Sequence, residues 1–245
     1  KKRKNILAKL LIYAFIFTIL FPLALTAVWA FVGRWPWPRL LPQSFSLRGI
    51  EEIFGGYSGA FQTLGSSILL SAVVAILAVI VGTMTARALV LYDFPGKSLI
   101  QFSTILPIII PSTVFAMGTH VLFIKVGLAD NVLGVIIVHL ICSLPYTVKI
   151  MTDVTAAFGG KLEEQAAVLG ATSRQIMKEV TLPALMPGLV SSACMAYIIS
   201  FGQYFVTLII GGGNVKTFTL IMVPYLQSGD RIIASAYSIV FILST

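Results

Sequence analysis

Residues 64–85 read LGSSILLSAVVAILAVIVGTMT, a run of 22 residues without a charged side chain, and Arg87 follows just beyond it. A helix needs about 20 predominantly apolar residues to cross the hydrocarbon core of a bilayer. The run therefore predicts a transmembrane helix that ends near Arg87.

The composition of the whole chain agrees with a membrane protein. Of its 245 residues, 58% are hydrophobic and only 11% are charged, and the mean hydropathy is +0.97. A soluble domain cannot hide so much apolar surface. The net charge of +8 is not gathered on one amphipathic face or interleaved with aromatic residues, so we expect no nucleic-acid partner.

Further apolar runs predict more membrane crossings. They cover residues 10–32, 100–124, 132–150 and 187–210, and a last run begins near residue 232. The last run has 14 residues up to 245, too few to cross, so we expect the sequence to stop inside that helix. The first run is too long for the apolar region of a secretory signal and lacks a cleavage site. We predict an all-α polytopic membrane protein with six transmembrane helices.

The basic residues predict the orientation, because Lys and Arg concentrate on the cytoplasmic side of a membrane protein. With a cytoplasmic amino terminus, 11 of the 17 basic residues are inside and six are outside. The inside set is Lys1, Lys2, Arg3, Lys4, Lys9, Arg87, Lys97, Lys149, Lys161, Arg174 and Lys178. The outside set is Arg34, Arg39, Arg48, Lys125, Lys216 and Arg231.

The run Trp35-Pro36-Trp37-Pro38 then lies just outside the first span. Indole rings suit the membrane–water interface, so an interfacial anchor is favoured over a contact with solute.

The longest cytoplasmic connection, residues 151–186, is also the most informative. Residues 161–170 read KLEEQAAVLG, in which Leu162, Ala166 and Leu169 recur at helical spacing and Gly170 marks a natural stop. Glu163 and Glu164 suit the first turn of such a helix.

A second short helix is predicted after Gly170. Thr172 with Gln175 makes a capping-box pattern, Ile176 and Val180 are one turn apart, and Pro183 is expected to end the helix. Two short helices would form a knob outside the bilayer. Such a knob suits a cleft on another protein, but an ordinary interfacial helix has the same periodicity, which leaves both interpretations open.

The connection resembles the EAA loop of binding-protein-dependent ABC importer permeases, type I. That pattern is E-A-A, three residues, G, nine residues, I, one residue, L-P. Glu164, Ala166, Gly170, Leu182 and Pro183 match it at the right spacing, whereas Gln165 replaces the first Ala and Val180 replaces Ile. We call residues 164–183 the EAA-like segment.

The resemblance implies a function for this segment. In the family, the loop forms a coupling helix in a cleft of a separate ATPase, and ATP-driven closure of an ATPase dimer switches the permease between inward-facing and outward-facing states. The expected partners are that ATPase dimer, a second permease, identical or related, an external solute-binding protein and membrane lipid. The residues expected to dock are Leu162, Glu163, Glu164, Gln165, Ala166, Leu169, Gly170, Leu182 and Pro183.

The resemblance also implies a location and an extent. It places the chain in the bacterial inner membrane, with the permease domain over residues 61–245 and an added helix and external loop over residues 1–60.

We expect this chain to carry no catalytic residue, cofactor or metal. The sequence has no G-x-x-x-x-G-K-[ST], HExxH or GxSxG motif, and Cys142 and Cys194 lie singly in apolar runs. ATP and Mg²⁺ are therefore expected on the partner ATPase.

Gln203 and Tyr204, in the outer half of the predicted fifth span, are the candidate solute-path residues. Hydrogen bonding between helices, with close packing at Gly202, explains them equally well. His120 and His139 are expected to be packed or interfacial residues.

Residues 202–217 look like the branch of this family that transports polyamines, ferric iron, thiamine or aminophosphonates. A secondary transporter or a channel is the alternative function. The apolar runs contain no acidic residue, and ion-coupled carriers commonly need one, so the importer is favoured.

Overall fold

The computed structural model describes residues 2–36, 38–56 and 59–245, and the side chains within 2–8 are not described. Lys1 and Trp37, and the side chains of Lys2, Arg3 and Lys4, thus lie outside the described residues. The helices are α1 (Lys2–Ala30), α2 (Arg48–Phe54), α3 (Ala60–Leu91), α4 (Lys97–Ile109), α5 (Ser112–Val126), α6 (Val132–Phe158), α7 (Lys161–Val168), α8 (Ser173–Gln175), α9 (Leu182–Phe201), α10 (Phe205–Gly211), α11 (Phe218–Ser228) and α12 (Arg231–Ser244). A π-helical segment, Ile176–Thr181, joins α8 to α9.

Four helical stretches of the described chain are long and apolar enough to cross a membrane. They are Lys9–Ala30, Ala60–Leu91, Val132–Phe158 and Ser173–Phe201. The pair α4 and α5 makes a fifth if it is counted as one span, and α12 has only 14 residues. The prediction of a helical polytopic membrane protein is confirmed, whereas the number six stays a prediction.

The third predicted span is not one straight helix. Its two halves, α4 and α5, meet at a bend of 112° beside Pro111. Ile110 is extended, with φ −77° and ψ 128°, because the ring of a following proline disfavours the helical conformation.

Several helices extend beyond the apolar runs that predicted them. The second predicted span ended at residue 85, but α3 continues to Leu91, and α6 continues past residue 150 to Phe158. Hydropathy marks the part of a helix that suits lipid, whereas backbone hydrogen bonds continue into the polar surroundings. The fifth predicted span, residues 187–210, is instead α9 followed by a break and α10.

The chain divides into two compact units, Lys1–Leu64 with Leu220–Thr245, and Gly65–Thr219. In the first unit, α12 packs along α1 and α2. Gly49 of α2 allows this approach, because a Cβ atom there would lie 2.8 Å from the Cβ of Ala236. Arg48 and Asp230 form an ion pair of 2.9 Å beside it.

The first unit also contains strands, which the all-α prediction did not include. Val32–Arg34 (β1) and Ser44–Phe45 (β2) pair antiparallel, with Val32 opposite Phe45. The first span therefore ends at Ala30 and not at residue 32, since Val32 already belongs to the strand.

In the second unit, α6 and α9 form the main helix–helix contact. Met151 of α6 is fully buried there, and Gly188 of α9 is buried against it. A Cβ atom on Gly188 would lie 2.9 Å from Cγ2 of Val154 and 3.1 Å from Sδ of Met151. Small residues permit such approach in a membrane, where packing replaces the hydrophobic effect as the attraction between helices.

Gly188→Ala should therefore loosen the contact between α6 and α9. We expect a destabilisation of about 1–3 kcal/mol, because Val154 is stiff and cannot move aside cheaply. The measurement is the midpoint of thermal unfolding of the detergent-purified complex. Gly118→Ala in α5 is the matched control, since no atom lies within 4 Å of its Cβ position. Equal midpoints for the two variants would contradict this packing.

Candidate functional site

The short helix α7 presents an apolar tip. Val168 and Leu169 are 88% and 87% exposed, and Leu162 in the first turn is 43% exposed. Glu164 and Gln165 are also exposed, whereas Ala166 is half-buried. These exposed valine and leucine side chains lie outside the long apolar helices. Val168 was not singled out from the sequence, because it lies off the Leu162–Ala166–Leu169 pattern.

The stop at Gly170 is confirmed. Gly170 has φ +88°, a left-handed conformation that glycine adopts without strain. Its N–H donates to the Ala167 carbonyl at 3.0 Å, and the Ala171 N–H donates to the Ala166 carbonyl at 3.0 Å. These bonds satisfy carbonyls at the end of α7 and turn the chain toward α8.

The capping box at Thr172 is also confirmed. The Thr172 N–H donates to Gln175 Oε1 at 2.9 Å, and the Gln175 N–H donates to Thr172 Oγ1 at 3.4 Å. The prediction that Pro183 ends this helix is wrong. The helical path runs on through the π-helical segment into α9, whose first turn contains Pro183.

The π-helical segment explains why Pro183 is tolerated. In a regular helix the proline ring clashes with the carbonyl four residues earlier. Here the Leu182 N–H reaches back five residues to the Met177 carbonyl, so the preceding turn is wider. Leu182 and Pro183 both remain exposed.

Arg87 and Thr181 both contact the carboxylate of Glu163, and we call these three residues the Glu163 cluster. Arg87 Nη2 lies 2.9 Å from Glu163 Oε1 and 3.0 Å from Oε2. Thr181 Oγ1 donates to Oε1 at 2.6 Å. The cluster thus joins α3, α7 and the end of the π-helical segment.

The hydrogen bond from Arg87 holds the pKa of the Glu163 carboxyl below its ordinary value, and the Thr181 hydrogen bond acts in the same direction. The carboxylate is therefore charged at neutral pH. A lowered pKa means that the stabilisation is present above the ordinary pKa of Glu and is lost only as the pH falls through the lowered one. The sequence predicted Glu163 as a first-turn acid and docking residue, but not its link to Arg87.

Gln203 and Tyr204 lie at a break between α9 and α10, which corrects their predicted place inside a continuous span. The Gln203 carbonyl lies outside both helices and accepts hydrogen bonds from Thr207 Oγ1 and Thr219 Oγ1, both at 2.9 Å. Side-chain donors must replace the missing helical bond, because lipid offers no partner to a backbone carbonyl.

Gln203 and Tyr204 are both half-buried, but they differ in their surroundings. Gln203 lines a cleft of about 110 Å³, whereas Tyr204 is not among its lining residues. Neutral polar groups of Ser112, Cys142 and Tyr146 share the cleft with Gln203. The cleft adjoins the bend between α4 and α5, where Pro107 and Ser112 lie.

His139 supports the break from the neighbouring helix α6. It is fully buried, with Nδ1 3.0 Å from Ser200 Oγ and Nε2 2.9 Å from Thr207 Oγ1. Because the single Thr207 proton is donated to Gln203, Nε2 is the donor to Thr207 and Nδ1 accepts from Ser200. The expectation of a packed histidine agrees with this burial. Ser143 joins this network, since its Oγ donates to the His139 carbonyl at 2.8 Å. The sequence analysis missed the network, although Ser143, Ser200 and Thr207 are polar residues inside apolar runs.

The family model described as "Binding-protein-dependent transport system inner membrane component" matches residues 78–245. PotC of Haemophilus influenzae, a spermidine/putrescine transport system permease protein, is 26% identical over 187 residues, 76% of this chain and 72% of the relative.

Other relatives carry different names. WtpB of Thermococcus kodakarensis, a molybdate/tungstate transport system permease protein, is 29% identical over 149 residues, 61% of this chain and 60% of the relative. SugB of Mycobacterium tuberculosis, a trehalose transport system permease protein, is 27% identical over 172 residues, 69% of this chain and 62% of the relative. Both matches thus span less than two thirds of the relative.

The fold is similar to that of a solved structure. A chain from a bacterial ABC transporter involved in the import of the acidic polysaccharide alginate superposes with a TM-score of 0.73, at 16% identity, over 99% of this chain and 92% of the other.

His139→Ala should destabilise the break between α9 and α10. It leaves the Ser200 and Thr207 hydroxyls without their histidine partner and opens a cavity, so we expect a loss of about 2–5 kcal/mol. Thermal unfolding of the purified complex measures it, with His120→Ala, at a half-buried position, as the control. A midpoint for His139→Ala no lower than that of the control would contradict the role of His139.

Proposed function

The chain belongs to the family of binding-protein-dependent transport system inner membrane components, and we propose that it forms a solute path driven by a separate ATPase through the EAA-like segment. Membership confirms the predicted ABC importer permease, a multi-pass protein of the inner membrane. It is a non-catalytic transmembrane subunit without a cofactor, and ATP binds to the partner ATPase. The alternative of a secondary transporter or channel is not supported by the match.

The observation that carries the docking proposal is the exposed apolar tip of α7. Val168 and Leu169 are the most exposed of its large side chains, and they directly precede the Gly170 turn. An apolar ridge on a short helix fits a groove on another protein, and the ridge supplies the contact area. We assign docking to Leu162, Glu164, Gln165, Ala166 and Leu169 with Gly170, and to the exposed Leu182 and Pro183 at the start of α9. Glu163, which the sequence predicted to dock, is left out of this set because Arg87 and Thr181 hold its carboxylate.

The proposed mechanism is alternating access. ATP binding brings the two ATPase subunits together, α7 moves with its cleft, and the permease helices switch between inward-facing and outward-facing arrangements. Nucleotide shifts this equilibrium only if it binds the complex better in one arrangement than in the other. An external binding protein delivers solute, and a second permease completes the path.

We propose a cytoplasmic amino terminus and six spans. The spans are α1, α3, the bent pair α4–α5, α6, the broken pair α9–α10, and α12. This orientation places α7 and the Glu163 cluster on the cytoplasmic side, which the excess of basic residues supports. The division into residues 1–60 and a permease domain of residues 61–245 is part of the same proposal.

We assign Gln203 to the solute path, because it lines a cleft at the meeting point of two helix breaks. Tyr204 is assigned to the path by its place in the same break. The cleft's neutral lining suits a low-affinity passage, with specificity set by the binding protein. We propose a small polar or charged solute, in the range from polyamines, iron, thiamine and aminophosphonates to the oxyanions and sugar in the relatives' names. The ligand that co-purifies with the binding protein tests this.

Gly170→Asp should uncouple the permease from its ATPase while leaving membrane insertion intact. The change adds bulk and charge at a left-handed turn that ends the docking helix, so we expect co-purification of the ATPase to fall roughly tenfold, about 1.4 kcal/mol. ATP-dependent uptake of labelled spermidine, molybdate or trehalose, whichever the unmodified complex transports, should fall with it.

Gly96→Asp is the matched control, because Gly96 has nearly the same φ, +89°, and equally open surroundings. Its ATPase association should remain near that of the unmodified complex. Unchanged uptake by the Gly170→Asp complex would contradict the docking assignment.

A further inference from the structure

We infer that the Glu163 cluster is a mechanical link that makes α3 move together with α7, and that Arg87 is a positioning residue for coupling. This inference rests on the proposed function, since it concerns how motion of the docking helix reaches the membrane spans. It separates two tasks, docking to the ATPase and transmission from the docking helix.

The path of the chain shows what the ion pair adds to the packing of α3 on α6 and α9 at Ala86. Helix α7 is joined to α6 through Gly159 and Gly160, and to α9 through residues 169–181. Motion of α7 therefore reaches α6 and α9 along the backbone. Helix α3 has no such connection, because Arg87 and Glu163 are 76 positions apart. The ion pair attaches the end of α3 to α7 directly.

The contact is better shielded than an ordinary surface ion pair. The side chains of Arg87 and Glu163 are 22% and 26% exposed, compared with 73% and 62% for Lys149 and Asp153 in α6. Exposed pairs contribute little because solvent and salt screen them. One Glu163 carboxylate also takes three contacts, two from Arg87 Nη2 and one from Thr181 Oγ1.

The neighbouring acids Glu163 and Glu164 have different surroundings, which suggests different functions. Glu163 is half-buried and bound to α3 and to Thr181, whereas Glu164, the residue on the family pattern, is exposed beside the apolar tip. The internal link thus uses an acid that the EAA pattern does not specify. It leaves Glu164 free to face a partner.

Thr181 donates the third hydrogen bond to Glu163, from the junction between the π-helical segment and α9. It is buried and is the last residue of the π-helical segment, immediately before α9. Short π-helical segments frequently mark functional sites in helices. Through Thr181 the carboxylate of Glu163 is tied to the start of α9, so α3, α7 and α9 meet at one side chain.

The test uses the complete complex of permease, ATPase and binding protein in proteoliposomes. In a Cys194→Ser background, Cys142 is the remaining thiol of this chain and lines the cleft that contains Gln203. Its rate of modification by a small methanethiosulfonate reagent, with and without ATP and vanadate, reports whether the cleft responds to nucleotide. This readout needs no knowledge of the solute.

We expect ATP and vanadate to change the Cys142 rate roughly tenfold in this background, within the range of coupling between distant sites. Arg87→Glu and Glu163→Arg should each reduce the change to about twofold or less while the ATPase still co-purifies and hydrolyses ATP. The double variant should restore most of the response, because it re-forms the pair with the charges exchanged. Asp153→Asn, which breaks the Lys149–Asp153 pair, is the control and should respond like the background.

Three other results would contradict the link, and a fourth would contradict the proposed function. A full response in either single variant overturns the link, as does a double variant that stays unresponsive. Loss of ATPase association in the single variants also overturns it, since the cluster would then serve docking or folding. If the Cys194→Ser complex binds no ATPase or shows no nucleotide response, the proposed function itself fails, and the link fails with it.

Discussion

Every backbone N–H and C=O inside the hydrocarbon core must find a partner within the protein. The long helices α1, α3, α6 and α9 meet this requirement for most of their length through their own backbone hydrogen bonds. A break needs side chains to take the place of the lost helical bonds. At the break between α9 and α10, Thr207 and Thr219 donate to the Gln203 carbonyl, and His139 holds Thr207 from α6.

Close packing of helices is the second consequence of the bilayer. Lipid tails are as apolar as leucine, so helices associate through van der Waals contact and hydrogen bonds. Gly188 brings α9 against Met151 and Val154 of α6, and the buried His139 bonds the same two helices through Ser200. The contact between α6 and α9 thus combines close packing with a buried hydrogen bond.

Beyond the apolar runs, different interactions hold the chain together. There the Glu163 cluster joins α3, α7 and the start of α9 by charge-assisted hydrogen bonds, which are stronger than neutral ones. On α7 the bound Glu163 lies next to the exposed Glu164, with the apolar tip at the helix end. The structure therefore has a neutral cleft among the apolar helices and the charged Glu163 cluster at α7.

The sequence by itself determined the membrane class, the family and the turn at Gly170, because apolar run length, motif spacing and glycine conformation are local properties. It also predicted the capping box at Thr172, a pattern within four residues. Only the tertiary structure decided that Pro183 continues a helix, that Gln203 lies at a break, and that Arg87 meets Glu163. The first depends on a widened π-helical turn, and the others depend on residues brought together from distant positions. No local pattern encodes that Glu163 turns toward α3 while Glu164 turns outward, since both acids suit the same first turn of α7.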